Sequence, residues 1–448
     1  MRQISRYDQS LRVPRYTSYP TAAQFTDAVG PAEQAAWLSR SGGRATSLYA
    51  HVPFCHSLCH YCACHTVVVQ RQEVLDRYAG LLLAEADLVR RKLPDQPAPI
   101  ALQWGGGTPT HLGPKLFRET AQALLQRFPL GPGAEHATEI DPRRCGAELA
   151  EALGEVGITR VSLGVQDFAE EVQEIIGRLQ SFEETRQAVE DLRAVGIEGI
   201  NLDLVFGLPK QTLRSLQQTL EQAIALRPDR LAVFGYAHVP WMKRHQRLIP
   251  EDYLPGANLR EEMALLIDET LLAAGYCKIG LDHYALPHDP LAKAAAERRL
   301  RRSFQGYSDQ AAEVIIAFGA SAISTLPDGL VQNLASVRDW QQAVIDGRLT
   351  ATRGVALDAD ERLRAAVIEA LMCNFEADVA AIAAREGMSP TGLAGALDEL
   401  ALLEDEGVLQ RQGWKLRVPA SERRWIRLVA AAFDRHWHPA NERHAPAV

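Results

Sequence analysis

From residue 46 onward the chain alternates short apolar runs with longer stretches of helical period. The runs at 47–52, 100–104, 137–140, 161–165, 200–205 and 231–235 are bounded by polar, glycine or proline residues, which predicts strands. Between them, 73–92, 114–127, 147–156, 182–195 and 213–225 place apolar residues on one face of a helix. Strand, crossover helix and strand repeated this often predict an α/β fold, a parallel sheet with helices outside it.

Both flanks read differently. The segment Pro14-Arg15-Tyr16-Thr17-Ser18-Tyr19-Pro20 is too rich in proline and aromatics for a helix and predicts an extended arm. Beyond residue 355, helices are expected at 360–371, 379–386 and 390–404, a hairpin at 407–417 and a last helix at 420–433, an order that resembles a winged helix. The tail 436–448 is expected to be mobile. The division is therefore an arm over 1–45, a barrel with an extension over 46–355 and a mostly helical C-terminal domain over 356–448.

A net charge of −8 with 23% charged residues argues against a nucleic-acid surface spread over the chain, and the acidic runs at 358–361 and 399–406 argue against a DNA role for the C-terminal domain. No run of eighteen apolar residues occurs and the N-terminus lacks a signal-peptide core, so no membrane association and a cytoplasmic location are expected.

Candidate chemistry concentrates in His51-Val-Pro-Phe-Cys55-His-Ser-Leu-Cys59-His-Tyr-Cys62-Ala-Cys64-His65, where four of the seven cysteines fall within ten positions. A structural zinc site normally takes two distant Cys pairs, and a dithiol couple an isolated Cys-x-x-Cys before a helix. An iron–sulfur cluster fits better, because three close thiolates can hold three irons and leave the fourth open to an exogenous ligand. For Cys145, Cys277 and Cys373 ordinary burial suffices.

Polar and glycine signals follow the strands: Gly105-Gly106-Gly107-Thr108, Glu139-Ile-Asp-Pro-Arg143, Gln166-Asp167 and Asp203-Leu-Val-Phe-Gly. In a parallel barrel that edge binds ligands. The glycine run lets a ligand approach the backbone, and it is neither a Walker nor a Rossmann motif. Recognition of an amino acid fits, with carbonyls or Glu139 for an ammonium group and Asp203 for ribose hydroxyls. On the arm, Arg15 is a candidate partner for a substrate carboxylate.

The Cys-x3-Cys-x2-Cys spacing, with Tyr61 before the third cysteine, resembles the signature of radical S-adenosylmethionine (SAM) enzymes. That resemblance implies a [4Fe–4S] cluster on Cys55, Cys59 and Cys62 whose open iron chelates SAM. Cleavage of the cofactor would give methionine and a 5′-deoxyadenosyl radical. Segments 14–20, 51–64, 103–112, 139–143, 162–168, 201–212, 233–240, 282–285, 304–307 and 372–375 look, in the same order, like the oxygen-independent coproporphyrinogen III oxidase family.

The resemblance implies a partial (β/α)6 TIM-like barrel and two SAM molecules, held at Tyr49, Tyr61, Gly106, Gly107, Thr108, Glu139, Gln166, Arg178, Asp203, Ala237 and Ile323. Cys64 is not a cluster ligand in that pattern. It also implies a monomer, a tetrapyrrole substrate, a reductant such as flavodoxin or ferredoxin, and oxidative decarboxylation of two propionates to vinyl groups. No catalytic side chain is assigned. Ala63, His65 and the Arg178-Leu-Gln180 run depart from the pattern without removing a cluster ligand. A haem-binding chaperone and an anaerobic haem-degrading enzyme share the cysteine loop. The chaperones typically lack the Cys64 position and the arm.

Overall fold

The computed structural model describes residues 4–7 and 11–438. These divide into two compact units, one of residues 26–276 and 312–354, the other of the first 25 residues, 277–311 and the chain from 355 onward.

In the first unit, strands β1 (Thr46–Val52), β2 (Ala101–Gly106), β3 (Glu135–Ile140), β4 (Arg160–Gln166), β5 (Gly199–Phe206) and β6 (Arg230–Gly235) pair in that order, all parallel. The far side of β1 takes β7 (Val314–Phe318) in parallel, and Ile323–Leu326 and Gly329–Asn333 extend the sheet antiparallel. Helices α1 (Gln72–Arg90), α2 (Pro114–Arg127), α3 (Ala147–Glu155), α4 (Glu170–Ile176), α5 (Phe182–Ala194) and α6 (Leu213–Ala225) make the crossovers. This is the partial (β/α)6 barrel expected from the sequence, each predicted strand and helix lying within two residues of its expected bounds, while α4, β7 and the two antiparallel strands were not foreseen.

Burial alternates strictly along β3 and β4. Their outward residues, among them Ile140, Val161, Leu163 and Val165, are buried, whereas the opposite face carries Glu139, Ser162, Gly164 and Gln166, which are half-buried. A parallel sheet covered by core on both faces would be apolar throughout. One face is thus built for packing and the other for polar ligands.

The second unit has its own core, in which Leu11, Val13, Tyr16 and Tyr19 from the arm pack with Leu363, Val367, Leu371, Ile426 and Phe433. The arm is not helical, as expected, and its Tyr16 hydroxyl donates to Asp434 at 3.1 Å. Helices Ala359–Asn374 and Val379–Arg385 and the strands Gln410–Gln412 and Lys415–Arg417 follow the prediction, with Glu376–Asp378 adding a third strand.

Four expectations are corrected here, the first being the burial of Cys277, which is exposed. The single helix at 390–404 is a 3-10 turn, Pro390–Leu393, and two short helices, Ala394–Asp398 and Ala401–Asp405. Gly392 and Gly395 weaken a continuous helix, and bending keeps Leu393, Leu397, Leu400 and Leu403 buried. The last helix begins as a 3-10 turn, Ala420–Trp425, with only Ile426–Ala431 α-helical. The expected mobile tail is anchored at its start: Trp437 is buried and its indole N–H donates to the Arg12 carbonyl at 2.7 Å. The rest, 439–448, lies outside the described residues.

One buried polar group ties the barrel beside the cysteine loop. Glu85 of α1 accepts from the Gly319 amide at 2.6 Å, Asn333 Nδ2 at 3.0 Å and Trp340 Nε1 at 2.9 Å, and also from Thr350 Oγ1. Tyr78, two helical turns earlier, donates to the His51 carbonyl at 2.8 Å and accepts from the Ala320 amide at 3.0 Å. Glu85→Gln would set an NH2 group against a donor, so it should destabilise the fold by about 1–3 kcal/mol, read as a lower midpoint in thermal or urea unfolding. An unchanged midpoint would remove this network as the anchor.

Candidate active site

The cysteine loop leaves β1 and runs across the C-terminal end of the barrel. It has little regular structure of its own: Phe54–Cys55 pairs in parallel with Val67–Val68, and the Cys62 amide donates to the Cys59 carbonyl at 3.2 Å. Its remaining supports come from other elements. The His60 amide donates to the Ile176 carbonyl at 2.8 Å, at the end of α4, where Gly177 turns with φ +66. Lys243 Nζ donates to the Cys64 carbonyl at 2.8 Å and Gln246 Nε2 to the Tyr61 carbonyl at 2.9 Å, while His245 Nε2 bonds the Cys62 carbonyl at 2.7 Å.

The glycine run lies directly behind this loop. The Gly107 and Thr108 amides donate to the Val52 and Phe54 carbonyls, each at 2.9 Å. A Cβ on Gly107 would sit 2.7 Å from the Phe54 carbonyl oxygen and 2.9 Å from Cys55 Sγ, and one on Gly105 would sit 2.9 Å from Glu139. The run is therefore required by packing as well as open to a ligand. Thr108 Oγ1 also stands 3.8 Å from Cys55 Sγ.

The polar face continues across the strands. Glu139 of β3 accepts from the Gly106 amide at 3.1 Å, and burial followed by the nearby Asp203 charge pushes its carboxyl up to about 7. Asp203 of β5 accepts from Ser162 Oγ at 2.7 Å and Asn201 Nδ2 at 2.8 Å. Arg178, after α4, donates to Asp141 at 3.2 Å and to the Gly164 carbonyl, and places Nη1 3.6 Å from Cys59 Sγ. Gln166 has φ +70 at the end of β4, where the register with β5 shifts. Tyr61 packs against the cluster of Val172, Ile176, Val205 and Tyr236. The Tyr49 hydroxyl bonds His51 Nδ1 at 3.0 Å, and the Ala237 carbonyl accepts from Gln246 at 3.3 Å. Ile323 lies at the start of the antiparallel strand after β7.

The thiols differ in acidity. A hydrogen bond from Cys64 lowers Cys62 to about 6, and the same bond raises Cys64; burial pushes Cys55 up to about 11. Sequence reasoning missed Asp141, Ser162 and Asn201 as partners of the expected residues, and the 243–246 segment that grips the loop. A polar residue two positions before Asp203 on the same face of a strand is the signal that could have found Asn201.

These residues fit an iron–sulfur cluster and a small amino-acid-bearing ligand. Three soft thiols lie on one loop against a cradle that any Cβ would fill. Two buried atoms facing this region, Arg178 Nε and Asn201 Oδ1, have no hydrogen-bond partner within the protein. Among the described residues no three His, Cys, Asp or Glu side chains converge as for a lone metal ion, so the fit rests on the donor chemistry and the cradle. Gly107→Ala should lower iron and sulfide content after anaerobic reconstitution while the far-ultraviolet circular dichroism is kept. Full iron content in that variant would mean the cradle is not needed.

Residues 49–223 match the family described as the Radical SAM superfamily. The chain is 45% identical over 438 residues to an oxygen-independent coproporphyrinogen III oxidase of Bradyrhizobium diazoefficiens, covering 98% of this chain and 97% of the relative. It is 40% identical to the protein of that name in Pseudomonas aeruginosa, covering 97% and 95%. The solved coproporphyrinogen III oxidase of Escherichia coli, described as a radical SAM enzyme, aligns with a TM-score of 0.91 at 35% identity, over 96% of this chain and 100% of that one. The cysteine loop, the glycine cradle behind it and this near-complete likeness place the chain in the oxygen-independent coproporphyrinogen III oxidase family of radical SAM enzymes.

Proposed function

We propose that the chain converts two propionate side chains of coproporphyrinogen III to vinyl groups without dioxygen, giving protoporphyrinogen IX in haem biosynthesis. The observation that carries this is the likeness to enzymes of that name over 98% of the chain, with the cysteine loop and glycine run both in place. Each propionate, R-CH2-CH2-COO⁻, becomes R-CH=CH2 with release of carbon dioxide, one proton and two electrons. The carbon–hydrogen bond that must break is out of reach of side-chain acids and bases. A [4Fe–4S] cluster with SAM, the cofactors of this family, supplies a radical strong enough to break it.

The protein's share is placement. Cys55, Cys59 and Cys62 would hold the cluster. Gly106, Gly107, Thr108 and Glu139 offer backbone and carboxylate partners to the ammonium group of SAM, and Asp203 partners to ribose. Tyr49, Tyr61, Gln166, Arg178, Ala237 and Ile323 complete the positions proposed for two SAM molecules. Cys64 would stay off the cluster.

The arm offers an anion site. Arg15 is solvent-accessible, yet surrounding protein and Arg302 lower its pKa while Asp282 raises it. Arg302 Nε donates to the Tyr16 carbonyl at 2.9 Å, and its guanidinium lies 4.2 Å from the centre of the Tyr307 ring. Arg427, from the C-terminal segment, is lowered to about 10 by burial and then by Arg15. Three guanidiniums gathered near Asp282 suit a propionate. We also read the parts as an arm over 1–45, a barrel over 46–355 and a helical domain over 356–448, in a cytoplasmic monomer supplied with electrons by flavodoxin or ferredoxin. Among the described residues no helix is long and apolar enough to cross a membrane.

Anaerobic reconstitution should give about four iron and four sulfide per chain, reduced to background in Cys55→Ala, Cys59→Ala and Cys62→Ala and kept in Cys64→Ala. With coproporphyrinogen III, SAM and dithionite, the wild type should form 5′-deoxyadenosine and a product that has lost two carboxyl groups as carbon dioxide and four hydrogens. Turnover of haem but never of coproporphyrinogen would reassign the substrate. Arg15→Ala should raise KM for coproporphyrinogen roughly tenfold, the weight of one charge-assisted contact, with the cluster intact. An unchanged KM would remove the arm from substrate binding.

A further inference from the structure

The loop after β6 has a second face. Its inner side grips the cysteine loop through Lys243, His245 and Gln246, each bonded to a carbonyl of residues 61–64. Its outer side displays Trp241 at 59% exposure, Met242 at 65% and Leu248 at 61%, with Arg244 and Arg247 also exposed. A shallow cavity of about 480 Å³ lies between Trp241, Arg247 and Glu251. Aromatic residues, Met and Arg are the types enriched in protein interfaces, and clustered exposed apolar side chains mark interaction sites.

Charge selects the partner. Between 241 and 248 the chain carries Lys243, Arg244, His245 and Arg247 and no carboxylate, although the whole protein has a net charge of −8. Glu251 and Asp252 follow at the edge of the patch, where Glu251 accepts a hydrogen bond of 3.3 Å from His238 Nε2. A basic, partly apolar patch attracts an acidic surface on a partner, and two copies of this chain meeting patch to patch would set like charges against each other. The same segment is hydrogen-bonded to the carbonyl of Cys62, a proposed cluster ligand.

We propose that residues 241–248 are the docking surface for an acidic one-electron carrier protein, which delivers its electron to the cluster through the cysteine loop. The proposal rests on the radical chemistry above. In the transfer the carrier is oxidised and the enzyme reduced by one electron, and no atom crosses the interface.

The test uses the reconstituted full-length enzyme, a reduced flavodoxin of net negative charge, and Arg244→Glu/Arg247→Glu and Trp241→Ala variants, whose side chains are exposed. Calorimetric titration should show Kd for flavodoxin raised roughly tenfold in the double variant and less in Trp241→Ala, with the wild-type complex weakened by added salt. Flavodoxin-driven formation of 5′-deoxyadenosine should fall by the same factor at subsaturating carrier, while the dithionite-driven rate stays at the wild-type level. Unchanged Kd and carrier-driven rate would overturn the proposal. Loss of the dithionite-driven rate as well would also overturn it, because the segment would then act only by shaping the cysteine loop. The binding arm and SAM cleavage need no tetrapyrrole, so failure of the substrate assignment would show separately, as 5′-deoxyadenosine without a vinyl product.

Discussion

An irregular loop that carries three proposed cluster thiols cannot satisfy its own backbone, and most of the barrel's functional end is arranged to do that for it. Each carbonyl or amide left open inside a protein costs about 1–3 kcal/mol. The loop between Phe54 and His65 draws partners from the end of α4, from the 243–246 segment and from the Ala335 carbonyl, which takes His65 Nε2 at 2.8 Å. The glycine run closes the fourth side with backbone alone.

The same end of the barrel tolerates polar groups in quantity because they are paired with one another. Asp141 takes both Arg143 and Arg178, and Asp203 takes both Ser162 and Asn201. Two atoms, Arg178 Nε and Asn201 Oδ1, stay without protein partners. Stability forgone at such atoms is recovered only when a ligand with matching polarity arrives, which links occupancy of the site to its rigidity.

The parallel strands were legible because each apolar run is bounded by polar, glycine or proline residues and the helices between them have clean periods. The cysteine loop was legible because metal-ligand spacing is local. What sequence alone did not disclose depends on distant pairing: the Glu85 anchor reaches Gly319, Asn333, Trp340 and Thr350, and nothing near Glu85 announces them. The same holds for the grip of Lys243, His245 and Gln246 on a loop about 180 residues earlier. In the C-terminal segment, apolar spacing at 390–404 looked continuous, yet burial of four leucines was met by bending rather than by one straight helix.

The second unit draws on both ends of the chain and on 277–311 between them. Arg15, Arg302 and Arg427 each come from a different one of these segments. During synthesis strands β1–β6 and the cysteine loop, all within the first 235 residues, leave the ribosome well before Arg427 does. The arginine group cannot be complete until the last part of the chain is released, so a nascent or C-terminally clipped protein could possess every proposed cluster ligand and still lack the assembled anion site. Cofactor loading and competence for an anionic substrate are in this sense separate milestones in the life of the molecule.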